Sequence, residues 1–262
     1  MAAEYLPESL NFLAPLAGQD LIRLGALRDG GYVVAKDSIL KADALVSMGI
    51  STDWSFDEDF VKLNSKALVH GYDHTVSERL FKRRLRKSIE RFISFRSNFQ
   101  AIRESLQLLK RYQDFFQGPY RHYQERVHSR FEQKDDATMH KIIERVGGKK
   151  VFLKIDIEGS EYRIINDIVK YASNITGIAI EFHDTDHLRL IFLDAVNKLL
   201  KDFEIVHLHG NNASPCAEDG LPDALELHLL INLLLLIDLK DRLSYRSLGW
   251  IFRIAPILQT IH

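Results

Sequence analysis

Short apolar runs alternate along this chain with longer amphipathic stretches. Residues 44–49, 67–73, 151–157, 175–183 and 203–209 have the length and β-branched content of buried strands. Between them, 56–61, 139–146, 161–171 and 188–201 place apolar residues at helical spacing. Such alternation predicts a mostly parallel sheet with helices on both faces. The last two strand-like runs, 203–209 and 224–230, have no helical pattern between them, so they are expected to form an antiparallel edge pair. Ahead of the sheet, 21–25 and 32–35 read as two short strands. Arg28-Asp29-Gly30-Gly31 joins them and supplies the positive φ values that tight turns demand. The fold class is therefore α/β: a Rossmann-like sheet with an N-terminal β-hairpin, in a single domain over residues 1–262.

Residues 77–114 break the alternation. Phe81, Leu85, Ile89, Phe92 and Ile93, then Phe99, Ile102, Leu106 and Leu109, fall at helical spacings. Two amphipathic helices inserted after the second strand are expected at about 77–117, as a lid or a docking arm. Residues 77–114 hold 11 Lys and Arg against 4 Asp and Glu, a balance of +7, in a chain whose formal net charge is -1. Lys82-Arg83-Arg84 with Arg86-Lys87 suits acidic lipid, phosphate or RNA. A solvated helical face accounts for the same charges. The near-neutral total implies no general attraction to nucleic acid or membrane. One cysteine, Cys216, excludes a disulfide framework and points to a reducing compartment. The N-terminal residues show no basic, apolar leader, so a cytoplasmic location is expected. The apolar run 229–237 contains Asn232 and is too short to cross a bilayer.

The candidate chemistry lies at the strand ends. Run 151–157 leads into Asp156, Glu158 and Gly159, and ligands of open α/β sheets bind at the carboxyl ends of strands. Two residues apart on a strand, Asp156 and Glu158 point to one side. Two acids there are costly unless something needs them. The alternative is helix capping by Glu158 or Ser160. Earlier, run 44–49 ends in Gly49. A polar turn with Ser51, Thr52 and Asp53, a helix with an acidic first turn, and a strand ending in Asp73 follow. This arrangement binds nucleosides: the backbone approaches the ligand at the glycine, and the acid bonds the ribose hydroxyls. No G-x-G-x-x-G is present, so the pyrophosphate cradle of a nicotinamide cofactor is missing. S-adenosylmethionine carries no phosphate and needs none. His183, His207 and His209 are expected near strand ends on the same edge.

Phe152-Leu153-Lys154-Ile155-Asp156-Ile157-Glu158-Gly159-Ser160-Glu161 resembles the signature of the FkbM-type methyltransferases. Segments 28–34, 47–57, 180–183 and 207–212 resemble the rest of a methyltransferase-like branch of that family. The resemblance implies a class I methyltransferase sheet and S-adenosylmethionine as cofactor. It places Gly49, Ser51, Thr52 and Asp53 against the methionine part, Asp73 at the ribose, and Asp135 or Asp136 at the adenine. Asp156 is counted with the cofactor residues. It implies methylation of a hydroxyl on a sugar, lipid or small metabolite. The acceptor's proton then needs a base or a metal ion. His183 is the expected general base, with Glu158 placing it or the acceptor and His209 as a further catalytic candidate. The expected partners are a small-molecule or glycan acceptor and, at the basic insert, an anionic partner or a membrane surface. Two other readings use the same residues. One is a metal-dependent hydrolase built on Asp156, Glu158 and His183. The other is a non-catalytic cofactor-binding or scaffold protein.

Overall fold

The computed structural model describes residues 8–27, 30–211, 214–217 and 221–232. Arg28 and Asp29 of the expected hairpin turn, Asn212 of the polar turn after 203–209, and residues 233–237 of the last apolar run lie outside the described residues.

The hairpin forms as β1 (Leu21–Gly25) and β2 (Gly31–Ala35), paired antiparallel with Leu21 opposite Ala35. Then come α1 (Lys36–Leu40), β3 (Ala44–Met48), α2 (Ser55–Leu63) and β4 (Leu68–Tyr72). The insert is α3 (Glu78–Ile93) and α4 (Phe99–Phe115). After it follow β5 (Tyr120–Tyr123), β6 (Arg126–Val127), β7 (Asp136–Ala137) and α5 (Met139–Arg145). The remaining elements are β8 (Val151–Ile155), α6 (Glu161–Lys170), β9 (Ile175–Phe182), α7 (Arg189–Leu199), β10 (Phe203–Gly210) and β11 (Leu225–Ile231).

Seven of these strands make one sheet in the order β5-β4-β3-β8-β9-β11-β10. Strands β3, β4, β5, β8 and β9 run parallel, and β11 is antiparallel to both of its neighbours. The chain starts in mid-sheet at β3, winds out to β5, then returns to β8 beside β3 and winds the other way. The switch point is therefore the crevice between the carboxyl ends of β3 and β8, where such sheets bind ligands. The expected antiparallel pair is present, but β11 is tucked inside and β10 alone forms that edge. No single strand spans 120–127: β5 stops at Tyr123, and Arg126 turns away to pair with Asp136.

The pleat sorts alternate residues of the sheet to its two faces. Leu153, Ile155, Ile178, Ile180 and Phe182 pack with Ile164, Ile168, Phe192 and Val196 of α6 and α7. Phe152, Ala179, Leu45 and Val69 pack with Phe56 and Phe60 of α2 and with Tyr32 and Val34 of the hairpin. The insert has a small cluster of its own, in which Phe81 and Leu109 meet Ile50, Trp54 and Val76. It is thus a satellite of the sheet, anchored where β3 turns into α2. Ser77 caps α3 by accepting from the Leu80 N–H, and Asn98 caps α4 through the Ala101 N–H. No described helix is long and apolar enough to cross a membrane.

Candidate functional site

At the exits of β3 and β4, Gly49 has φ +79°. A Cβ there would lie 1.6 Å from the Asp156 carbonyl oxygen. The glycine is therefore required by the backbone of the neighbouring strand exit, whatever a ligand's approach adds. Its N–H donates to Tyr72 O at 2.9 Å, and its carbonyl accepts from Lys154 Nζ at 2.9 Å. Asp73 is buried, and its carboxylate ties this corner together. Oδ2 accepts the Ser51 N–H at 2.9 Å; Oδ1 accepts the Thr75 N–H at 2.7 Å and hydroxyl at 2.6 Å. Ser51, Thr52 and Asp53 are exposed. Asp53 accepts the Ser55 N–H at 2.9 Å and faces Arg111 of the insert at 3.5 Å.

Beyond Asp73 lies a cavity of about 380 Å³ lined by His74, Gln124, Arg126, Gln133, Asp135 and Asp136. The sequence left Asp135 and Asp136 as equals here, and the structure separates them. Asp136 is buried, takes Arg126 Nε at 2.9 Å, and accepts the Glu132 and Gln133 N–H groups at 2.9 and 2.6 Å. The Arg126 bond holds its pKa well below the ordinary carboxylate range. It fastens a loop and is spoken for. Asp135 is exposed at the cavity wall.

At the exits of β8 and β9, Asp156, Glu158 and His183 each offer a ligand atom, all within 4.8 Å of one another. They do not meet by strand geometry, because β8 ends at Ile155. A turn with Glu158 at φ +53° and Gly159 at φ +87° brings Glu158 round. Asp184, beside His183, has φ +54°. Left-handed backbone at two non-glycine residues costs on the order of 1–3 kcal/mol each and persists only where surroundings impose it.

Glu161 imposes part of it. It is fully buried, and its Oε1 accepts both the Ile157 N–H at 3.0 Å and His183 Nδ1 at 3.1 Å. Its Oε2 is buried with no hydrogen-bond partner among the described residues. Burial pulls the His183 pKa down, but the Glu161 bond and the charges of Glu161, Glu181 and Asp156 outweigh it and push it up to about 9. That shift favours the imidazolium, so His183 would serve as a base or a ligand only after giving up the proton that Glu161 helps to hold. Its Nε2 stands 3.7 Å from Glu158 Oε2 and 3.9 Å from Asp156 Oδ1, beyond hydrogen-bond reach.

Asp156 also accepts from Tyr32 Oη at 3.0 Å and from Lys154 Nζ at 3.2 Å. Tyr32 Oη reaches Glu181 Oε2 at 3.3 Å, and Asn211 Nδ2 donates to Glu181 Oε1 at 2.9 Å. Burial, then Asp156 and Glu181, push the Tyr32 pKa well above its ordinary value. Tyr32, Lys154, Glu161 and Glu181 were not singled out from the sequence. For Lys154 and Glu181 a signal existed: each is a charge inside a buried apolar strand.

His207 and His209 stand apart from this group. Their rings stack at 6.4 Å on β10, and burial lowers both pKa values, His207 to about 4. Arg23 of the hairpin lowers both further. No hydrogen bond or ion pair joins them to Asp156, Glu158 or His183 among the described residues. Of the three histidines, His183 is the one whose ring nitrogen joins Asp156 and Glu158 among the described residues.

No protein-family model matches the chain, and no curated protein matches it. Solved structures do. The plantazolicin methyltransferase BpumL in complex with SAH aligns at 11% identity and TM-score 0.37, over 75% of this chain and 80% of that one. The 23S rRNA methyltransferase ErmE aligns at 12% identity and TM-score 0.36, over 81% and 72%. The fibrillarin pre-rRNA processing protein of Methanococcus jannaschii aligns at 11% identity and TM-score 0.36, over 74% and 68%. Likeness this distant transfers no activity, and the functional argument rests on the chain's own residues.

Proposed function

We propose that this chain is an S-adenosylmethionine-dependent methyltransferase of FkbM type that methylates a hydroxyl, with Asp156, Glu158 and His183 holding a divalent cation beside the acceptor. One observation carries the reading. The Asp156–Glu158–His183 group stands one strand away from the Gly49–Asp73 corner, across the switch point of the sheet. A nucleoside at that corner and an acceptor at the group would face each other. The donor set of two carboxylates and one imidazole fits a divalent cation. The chain's residues divide the work. Gly49, Ser51 and Thr52 present backbone and small side chains to the methionine end. Asp73 faces the ribose, exchanging some of its internal bonds for ribose hydroxyls. Asp135 and the cavity beyond take the adenine. Glu161 orients His183 through Nδ1, so that Nε2 becomes a ligand atom once it gives up its proton. Tyr32 and Lys154 fix Asp156. The cofactor supplies the methyl group, and the cation lowers the acceptor's pKa. In-line transfer otherwise needs chiefly positioning.

Metal-dependent hydrolysis is favoured by the same three ligand atoms and leaves the Gly49–Asp73 corner without a role. Calorimetry with S-adenosylmethionine, followed by labelled-methyl transfer to sugars, lipids and hydroxylated metabolites, separates the two. Cofactor binding is expected without added metal, and transfer is expected to vanish with chelator and return with magnesium or manganese. His183→Ala should lower transfer by about 10²–10⁴ with cofactor affinity unchanged. Phosphoester hydrolysis with no cofactor binding would overturn the assignment.

A further inference from the structure

The insert ends in a feature that the catalytic reading does not use. Helices α3 and α4 form a hairpin whose base packs on Trp54 and Ile50. Its far end lies about 18 Å beyond Phe81, at 1.5 Å per helical residue. There Phe92, Ile93, Phe95 and Phe99 are 42, 70, 97 and 66% exposed. These side chains are consecutive around one tip, and the Phe92 and Phe99 rings sit 6.4 Å apart. Helix α3 closes with the Arg96 N–H on Arg91 O at 2.8 Å, the bond of a Schellman turn. The residue in left-handed conformation there is Phe95, φ +56°, at the position where glycine is usual. A phenylalanine that bears backbone strain and is almost wholly in water gains nothing from it within this molecule.

The charge around the tip matches the apolar residues. Residues 82–103 hold eight Lys and Arg and one acid, Glu90, so the insert's positive balance runs along α3 from near its base and round the tip. Lys82 and Arg86 pair with Glu78 and Glu90. Arg83, Arg84, Lys87, Arg91, Arg96 and Arg103 are exposed and make no ion pair among the described residues. Exposed aromatics ringed by unpaired cations suit an interface with apolar depth below and negative charge at its surface. RNA would match the cations but would want rings stacked against bases in a groove, and this tip is convex and partly aliphatic. We infer that the α3–α4 hairpin is a peripheral anchor that inserts Phe92, Ile93, Phe95 and Phe99 into an anionic lipid bilayer surface. The inference stands independently of the catalytic reading.

Co-sedimentation with vesicles tests it. The full chain is expected to pellet with phosphatidylcholine vesicles containing about a third phosphatidylserine and to stay in solution with phosphatidylcholine alone. Rising salt should release it. Ile93→Ser with Phe95→Ser should weaken partitioning at least about tenfold. Arg84→Glu with Lys87→Glu and Arg91→Glu should do the same. All five positions are exposed, so unchanged thermal melting is expected and confirms that a lost contact is not a lost fold. The anchor is overturned if neither vesicle binds, if both bind equally, if the variants pellet like the parent, or if the cationic face binds an RNA oligonucleotide while ignoring vesicles.

Discussion

At the exits of β3 and β4, Asp73 accepts three hydrogen bonds from Ser51 and Thr75. At the exits of β8 and β9, His183 Nε2 approaches Glu158 and Asp156 at 3.7 and 3.9 Å and bonds to neither. The first corner is satisfied internally and held by backbone fit. The second gathers charges whose remaining valences point at a common space. A ligand at the first must exchange existing bonds, so its binding energy is a difference. A ligand at the second meets groups already assembled by Glu161, Tyr32 and Lys154, though it must displace a proton from His183.

The largest test of this contrast is at Gly49. A side chain there would collide with the Asp156 carbonyl, which joins the two corners. Gly49→Val is expected to lose about 3–5 kcal/mol or fail to fold, as overpacking of rigid backbone demands. Urea denaturation measures it. Parent-like stability would mean the corners are not built against each other.

Asp73→Asn comes next. If the carboxylate exchanges internal bonds for ribose hydroxyls, calorimetry should show S-adenosylmethionine binding weaker by about 1.5–3 kcal/mol, the scale of hydrogen bonds to a charge. Binding unchanged in a folded variant would confine Asp73 to tying Ser51 and Thr75.

The pH dependence of stability separates the histidines. His183 is raised to about 9 from 6.5, so its contribution is complete below pH 6.5 and lost as pH rises through 9. Burial lowers His70 and His207 to about 4 and His228 to about 3, so they favour the folded state above pH 6.5 and oppose it as pH falls toward 4. Asp57 runs the other way: burial raises it from 3.8 to about 7, so its ionisation strains the fold as pH rises through that window. Three histidines outweigh one carboxyl, and the melting temperature should peak near neutrality and fall on both sides. His183→Asn should flatten the alkaline side alone.

The smallest effect is expected at Arg111, which joins the insert to the first corner through Glu58 at 2.8 Å and lies over the Trp54 ring at 4.9 Å. It is partly exposed, so Arg111→Ala should cost only about 0.5–1 kcal/mol in thermal melting. A much larger loss would make the insert integral to the cofactor corner.

Much of this architecture was written in local pattern. The alternation of periods announced strands and helices, and the cation-rich interval 77–114 announced the insert with its helical spacing. The carboxylates and histidine at the strand exits were visible because charge at the end of an apolar run is conspicuous. The position of β11 between β9 and β10 was not visible, because pairing partners are chosen by long-range hydrogen bonding. The same holds for Glu161. It looked like an ordinary helix opener, yet at full burial it accepts from His183 and from Ile157 and so sets the charge of the expected base. The sequence by itself determined which residues are apolar, which carry charge and where the chain must turn, since those follow from spacing and side-chain chemistry. The tertiary structure alone decided that His183 rather than His209 joins Asp156 and Glu158, that Gly49 answers to Asp156, and that Glu161 reaches the His183 ring. Each of those depends on the distance between atoms far apart in the chain and on burial that no local pattern encodes.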